Sequence, residues 1–243
     1  MAQWTDTRWA SAPAPAAVEF DEGLRRHMVG VYNFMMLGLV LSGAVAFAVA
    51  NTSLGALFFS GPGRLTGLGW VAVLAPLGLI LIASFGASRL SSGAIQGLYW
   101  GITALQGVSL GALLQVYTGQ SVARTFFVTA AAFGALSLYG YSTRRSLSGM
   151  GSFLVMGLVG IVLASLVNVF FASGALQFAI TVIGVFVFAG LTAYDTQRIK
   201  EEYLGGFDEG AQTTMQVFGA LGLYLNFVNL FQLLLSLFGT RDE

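Results

Sequence analysis

The sequence predicts an all-α integral membrane protein with seven transmembrane helices. Of its 243 residues, 56% are hydrophobic and only 9% are charged, whereas soluble domains carry about 25% charged residues. Seven mostly apolar runs also come close to the ~20 residues that a helix needs to cross a bilayer. These runs are Met28–Ala50, Leu68–Ser88, Ala94–Tyr117, Ala123–Tyr141, Met150–Ala172, Leu176–Tyr194 and Thr214–Gly239.

The composition excludes several classes of function. The net charge is zero, so the chain carries no electrostatic footprint for nucleic acid. It contains no cysteine and a single histidine, His27, which excludes disulfides, thiolate metal sites and zinc sites built on several histidines. No glycine-rich phosphate-binding motif and no nucleophile–base pair is present. We therefore predict a protein that is not an enzyme and needs no cofactor.

The N-terminal segment differs in composition from the rest of the chain. Residues 1–27 are rich in charge and include the Ala-Pro stretch Ser11–Ala17, which predicts a flexible cytoplasmic tail before a seven-helix domain over residues 28–243. The first apolar run exceeds the ~7–15 residues of a signal peptide, and the segment before it is long and acidic. We therefore expect a retained membrane helix rather than a cleaved signal.

The basic residues predict the orientation of the chain, because they favour the cytoplasmic side of short connections. With the N-terminus inside, eight of the 11 lysines and arginines lie in the tail and in the connections on the cytoplasmic side. These eight are Arg8, Arg25, Arg26, Arg89, Arg144, Arg145, Arg198 and Lys200. An odd number of spans then places the C-terminus outside.

Glycines recur along the third span. Gly93, Gly97 and Gly101 follow one another at a spacing of four, and Gly107 and Gly111 repeat that spacing further on. Small residues at this spacing allow two helices to approach closely. Glycine is also simply frequent in membrane helices, but the strict register of the first three favours helix packing.

Asp195 stands at the end of the sixth apolar run, where a carboxylate is costly and by default marks a functional site. Arg198 lies one turn further along and is its local candidate partner. Arg89, at the end of the second span, is the long-range candidate. The alternative is that Asp195 is hydrated among the lipid head groups and begins a loop.

The seventh span carries a polar seam. Gly219, Gly222, Asn226 and Asn229 recur at spacings of three and four, so they share one face of the helix. A lipid-facing helix would not group glycines with carboxamides. We expect the last helix to be central, with this seam facing an interior cavity, although simple hydrogen bonding between helices would give the same pattern.

Three segments resemble motifs of the Bax inhibitor-1 (transmembrane Bax-inhibitor-motif) family, in the family's order. Gly140–Gly151 (GYSTRRSLSGMG) resembles its segment GYTTKRDLSGMG, and Ala193–Lys200 (AYDTQRIK) resembles its Tyr-Asp-Thr-Gln signature. Leu223–Phe231 (LYLNFVNLF) resembles its last-helix segment LYLDFINLF. The resemblance covers about residues 20–240 and is closest to the bacterial branch of the family.

The resemblance implies seven helices with the last surrounded by the other six, in the inner membrane of a bacterium. It also implies a pH-sensitive Ca²⁺ leak, in which two aspartates from the sixth and seventh helices form a pair that an arginine of the second helix joins. Transferred to this chain, the first aspartate is Asp195 and the arginine is Arg89. The second aspartate is replaced by Asn226.

The replacement of an aspartate by Asn226 changes the expected chemistry, because an amide forms hydrogen bonds but does not ionise. Two neighbouring carboxylates titrate as a coupled pair, whereas here only Asp195 titrates and only Asp195 offers a carboxylate to Ca²⁺. The hypotheses are a cation leak with altered gating, a non-conducting modulator of membrane proteins such as a membrane-anchored protease, and a small-solute transporter. The residues do not predict the oligomeric state.

Overall fold

The computed structural model describes residues 15–61, 64–86, 89–203 and 208–242. The long helices are α1 (Pro15–Asn51), α3 (Gly67–Gly86), α4 (Ser92–Leu114), α5 (Gly119–Ser142), α6 (Ser148–Phe171), α7 (Gly174–Glu202) and α8 (Glu209–Phe238). Between α1 and α3 lie the short helix α2 (Gly55–Phe58) and an antiparallel pair of strands, β1 (Phe59–Gly61) and β2 (Arg64–Leu65).

In the described part of the chain, seven helices are long and apolar enough to cross a bilayer. They coincide with the seven predicted runs, so the predicted all-α membrane fold is confirmed. A helix of 20 residues, the length of α3, spans about 30 Å, which matches the hydrocarbon thickness of a bilayer.

Two helix boundaries differ from the prediction by more than five residues. Helix α1 begins at Pro15, inside the segment predicted as a flexible tail, and its side chains already pack into the bundle at Leu24. Residues 1–14 of that tail lie outside the described residues. Helix α7 continues past Tyr194 to Glu202, because its polar residues beyond that point find partners on neighbouring elements instead of ending the helix.

Hydroxyl side chains mark the starts of three spans. Ser91, Thr118 and Ser173 precede α4, α5 and α7, and each accepts a hydrogen bond from a backbone amide of the first helical turn. The first amides of a helix have no partner inside the helix, and a Ser or Thr at this position satisfies one of them. These residues therefore set where each helix begins.

Helix α8 is the most buried of the spans. In its most apolar stretch 56% of the residues are buried, against 6% in α6. It packs against α1, α4, α5 and α7. This packing on four of the other six spans agrees with a polar seam that faces inward. That all six other spans surround α8 stays a prediction.

A polar contact lies at the junction of α1, α4 and α8, inside the largest apolar cluster. The Tyr224 hydroxyl lies 2.6 Å from Ser42 Oγ, which is 2.8 Å from the carbonyl oxygen of Thr103. All three residues are fully buried. Because an unpaired hydroxyl would be costly there, this contact specifies how the three helices meet.

The glycines that permit close packing of α4 are not the ones predicted. No described atom lies within 4 Å of a Cβ built on Gly93 or Gly97, and one on Gly101 makes only ordinary contact with Leu79. A Cβ at Gly107 would lie 2.7 Å from the backbone oxygen of Ser42, and Gly111 faces α1 as well. Close approach therefore occurs at the second half of α4.

Helices α5 and α7 cross closely at Gly140. A Cβ at this position would collide with the carbonyl oxygen of Ala193, and a backbone atom cannot move aside as a side-chain end can. Gly140 belongs to the motif after the fourth span and Ala193 to the motif that contains Asp195. The two motifs thus meet in space.

We expect Gly140→Ala to destabilise the bundle by about 1–3 kcal/mol, because it forces two packed backbones apart. Gly134→Ala is the matched control on the same helix, where no described atom lies within 4 Å of the added Cβ. Thermal unfolding of the purified protein in detergent measures both. Equal melting temperatures for the two variants would contradict this assignment of the crossing.

Candidate functional site

Asp195 lies inside α7 and is 8% exposed. The expectation that it begins a loop is wrong, because the helix continues for two more turns beyond it. Its carboxylate lies between α7 and α8. A carboxylate in such a place requires specific partners.

The first partner of Asp195 is Asn226 of α8. The Asn226 Nδ2 donates a hydrogen bond of 2.7 Å to Asp195 Oδ2, and both side chains are buried. A hydrogen bond to an ionised group is stronger than one between neutral groups. The structure therefore joins the two positions that the resemblance pairs, through an amide instead of a second carboxylate.

The second partner of Asp195 is Arg198, one turn along the same helix. Arg198 Nη2 lies 3.1 Å from Asp195 Oδ1, and its Nε lies 3.5 Å from Glu202. The Arg198 side chain is 43% exposed, so water reaches it at the edge of the bundle. The two oxygens of Asp195 thus have two different partners, and the charge of the carboxylate is balanced locally.

Arg89 does not join this group in the structure. It is exposed in the turn after α3, and α3 packs against α4 and α2, whereas Asp195 lies between α7 and α8. Among the described residues, the ion pair of Asp195 is with Arg198. Of the two candidate cations predicted from the sequence, the structure brings the local one to the carboxylate.

A cavity of about 720 Å³ lies between α6, α7 and α8 and contains this group. Its walls are mainly apolar. The polar residues that line it are Ser165, Gln177, Asp195, Arg198, Asn226, Asn229 and Gln232. Asp195 is the one acidic residue among its lining residues, so the cavity has a single ionisable carboxylate.

The polar seam of α8 divides between this cavity and the packed core. Gly222 and Asn229 line the cavity, and a Cβ on Gly222 would lie 3.9 Å from Asp195 Oδ2, so the glycine leaves room beside the carboxylate. Gly219 instead packs against Ile199 of α7. Asn229 Nδ2 donates to the carbonyl of Leu225 in its own helix. The seam therefore faces the cavity at three of its four positions, Gly222, Asn226 and Asn229, and packs on α7 at Gly219.

The two residues after Asp195 reach two further elements. Thr196 Oγ1 lies 3.0 Å from Ser137 Oγ of α5. Gln197 Oε1 accepts a hydrogen bond of 2.7 Å from the backbone of Leu147, and its Nε2 donates to the carbonyl of Arg145 at 3.0 Å. Gln197 therefore fixes the connection between α5 and α6, a role that the sequence did not reveal.

Four consecutive polar residues at the end of an apolar helix indicate that Thr196 and Gln197 also have specific partners. Residues 194–197 read Tyr-Asp-Thr-Gln, and only the carboxylate was singled out as a site. Successive positions of a helix point about 100° apart, so adjacent polar side chains near a bundle must serve different neighbours.

His27 is a second buried polar residue whose contacts the sequence did not predict. Its side chain is 1% exposed and packs on the ring of Tyr203.

The cavity is a weak site for a bound metal ion. Among the described residues there is no group of three histidine, cysteine, aspartate or glutamate side chains that could hold one. Ca²⁺ takes six to eight oxygen ligands, and this site offers the Asp195 carboxylate with amide oxygens around it.

The chain was compared with known proteins. The family model described as "Inhibitor of apoptosis-promoting Bax1" matches residues 24–243. An uncharacterized protein of Caulobacter vibrioides is 51% identical over 241 residues, covering 96% of each chain. The inner membrane protein YbhL of Escherichia coli K12 is 46% identical over 222 residues, 90% of this chain and 93% of YbhL. An uncharacterized membrane protein of Streptococcus pyogenes is 34% identical over 228 residues, 91% of this chain and 96% of that protein.

We expect Asn226→Ala to lower the stability of the protein by about 1.5–3 kcal/mol, because it removes a hydrogen bond to a buried charged group. Asn229→Ala is the matched control on the same helix, where the lost bond is to a carbonyl of its own helix and a smaller effect is expected. Thermal unfolding in detergent measures both. An equal loss in the two variants would contradict the special role of the Asp195 contact.

We expect Gln197→Ala to release the connection between α5 and α6, because two backbone groups lose their partner. Gln197→Glu keeps an oxygen that accepts from Leu147 but no longer donates to Arg145, so its effect should be smaller. Limited proteolysis after Arg144 and Arg145 reports the mobility of this segment. Unchanged cleavage in Gln197→Ala would show that the hydrogen bonds of Gln197 are not needed to hold this connection in place.

Proposed function

This multi-pass inner membrane protein belongs to the Bax inhibitor-1 family, and we propose that it is a cation leak pathway gated by a single carboxylate. The observation that carries this proposal is the Asp195 group. One acidic side chain lies in a cavity between α6, α7 and α8, held by Asn226 at 2.7 Å and by Arg198 at 3.1 Å. We propose no enzymatic activity.

The contacts of Asp195 describe a closed gate. Both carboxylate oxygens are engaged, one across the interface between α7 and α8 and the other with Arg198. When Asp195 takes up a proton, its attraction to Arg198 is lost and the bond from Asn226 is no longer assisted by charge. Because Arg198 is partly exposed, its side chain can then turn away and open the end of the cavity.

Selectivity for Ca²⁺ should be weak. Divalent cations favour sites with several carboxylates, and the position that would supply the second one is Asn226. The charge of Asp195 is further balanced by Arg198. We therefore propose that monovalent cations pass at rates comparable to Ca²⁺, in contrast to the two-aspartate arrangement that the resemblance implies.

The orientation that fits this proposal has the N-terminus in the cytoplasm and the C-terminus outside. Eight of the 11 basic residues then lie on the cytoplasmic side. Lys200 Nζ donates to the carbonyl of Tyr141 at 2.8 Å, and Gln197 contacts Arg145. These contacts place the ends of α5 and α7 at the same side of the bundle, which supports one basic face. With that face in the cytoplasm, the proposed gate lies at the cytoplasmic end.

Two other functions have some support. The full engagement of the Asp195 oxygens also suits a non-conducting protein that modulates membrane partners, for example a membrane-anchored protease. The volume of the cavity, about 720 Å³, lies within the ~300–1,000 Å³ of small-molecule pockets, which suits a transporter of a small solute.

We expect cation flux in proteoliposomes to rise as the pH falls, with a slope of about one proton because only Asp195 titrates at the gate. Asn226→Asp should steepen the slope towards two protons, since two adjacent carboxylates titrate together. Asp195→Asn should make the flux independent of pH. Asn229→Asp is the control, because it adds a carboxylate to the same cavity away from the contact with Asp195.

Four outcomes would overturn this proposal. A steep two-proton dependence in the unmodified protein would exclude a single-carboxylate gate. An equal steepening of the pH dependence by Asn229→Asp would show that an added carboxylate matters wherever it lies in the cavity and that contact with Asp195 does not. Absence of flux at every pH, with recovery of a membrane protease as a bound partner, would favour the modulator. Solute uptake that Asp195→Ala leaves intact would favour the transporter.

A further inference from the structure

An apolar groove of about 610 Å³ lies between α1 and α5, and the side chains that line it do not include those of the Asp195 cavity. Helix α1 packs mainly on α4 and α8, and α5 packs on α7 and α8. The two helices therefore stand side by side with a gap, and Phe227 of α8 forms its floor.

The walls of the groove are apolar and open to the surroundings. Methionines contribute three of the lining residues, Met28, Met35 and Met36, and their flexible side chains adapt to irregular partners. Met36 is 64% exposed and Leu138, on the opposite wall, is 67% exposed. In a membrane, these side chains meet lipid rather than water.

Midway along the groove, the polar groups that line it are already bonded to each other. The hydroxyls of Tyr32 and Ser137, which also line it, form a hydrogen bond with each other across the gap. An occupant of the inner part therefore needs no hydrogen-bonding groups, and a hydrocarbon chain satisfies this condition.

At one end of the groove lies Arg25, a cation that forms no ion pair with any described residue. Arg25 lines the groove and is exposed, and the two ion pairs found among the described residues both belong to Arg198. Arg26 follows it directly. Arginine binds phosphate through two parallel hydrogen bonds, and basic pockets between membrane helices bind acidic head groups.

The length of the groove matches one chain of a lipid anchored at that end. From Arg25 to Leu39, both of which line it, α1 rises by about 21 Å. One leaflet of hydrocarbon is about 15 Å thick, so the groove extends from the level of the head groups to the bilayer centre or beyond.

We propose that this groove is a binding site for an anionic phospholipid, with one acyl chain between α1 and α5 and its phosphate on Arg25. The guanidinium supplies the preference for a net negative head group, and the apolar walls supply the preference for a chain. The site does not depend on whether the protein conducts ions.

The test is lipid retention by the purified full-length protein, measured by native mass spectrometry after exchange into mixed phosphatidylglycerol and phosphatidylcholine. We expect at least a tenfold preference for phosphatidylglycerol. Arg25→Gln should reduce this preference severalfold, and Arg144→Gln, an exposed arginine that does not line the groove, should leave it unchanged.

Filling the groove should abolish retention of both lipids. Gly134→Phe places a ring where no described atom lies within 4 Å of a Cβ. Met36→Trp fills the groove from the other wall, at an exposed position where a larger side chain disturbs the fold least. Thermal unfolding verifies that each variant is folded.

Three results would overturn the proposal. An equal loss of preference in Arg25→Gln and Arg144→Gln would assign the effect to surface charge in general. Undiminished retention in folded Met36→Trp would place the lipid elsewhere. A change of oligomeric state in the filled variants, with lipid retention unchanged, would make the groove a contact between two copies of the chain.

Discussion

The arrangement of this bundle depends on satisfying one carboxylate in apolar surroundings. Asp195 has an oxygen bonded to Asn226 of α8 and another paired with Arg198 of its own helix. A charge buried without such partners costs several kcal/mol, so the register of α7 against α8 must bring these residues together. The same requirement opposes slippage of the last helix, which contributes most to the core.

Three successive side chains of α7 extend this constraint to the rest of the bundle. Asp195 reaches α8, Thr196 reaches α5, and Gln197 holds the connection between α5 and α6. One turn of helix therefore positions three elements at once. Close packing of Gly140 on the backbone of Ala193 brings α5 near enough for these contacts.

Helix α8 lies between the cavity that contains the Asp195 carboxylate and the apolar groove between α1 and α5. Asn226 faces the cavity that contains Asp195, and its neighbour Phe227 forms the floor of the apolar groove between α1 and α5. Since adjacent residues of a helix point about 100° apart, α8 lines both cavities with neighbouring side chains. Tyr32 and Ser137 of the groove wall are joined through Thr196 to the helix that carries Asp195, so the two sides are in physical contact.

The sequence by itself determined the membrane class and the seven spans, and it offered Arg198 as a candidate partner of Asp195. Hydropathy is a local sum over about 20 residues, so spans are visible without tertiary structure, and the spacing of three to Arg198 is visible on a helix. The pairing with Asn226 came from the family resemblance. Only the tertiary structure revealed the contacts of Thr196 and Gln197, because they join residues far apart in the chain. Thr196 and Ser137 are separated by 59 residues, and Gln197 and Leu147 by 50. The tertiary structure also decided that Arg89 lies away from Asp195 and that Gly107 rather than Gly93 permits close packing. A periodic pattern shows which residues share a face but not which neighbour that face meets.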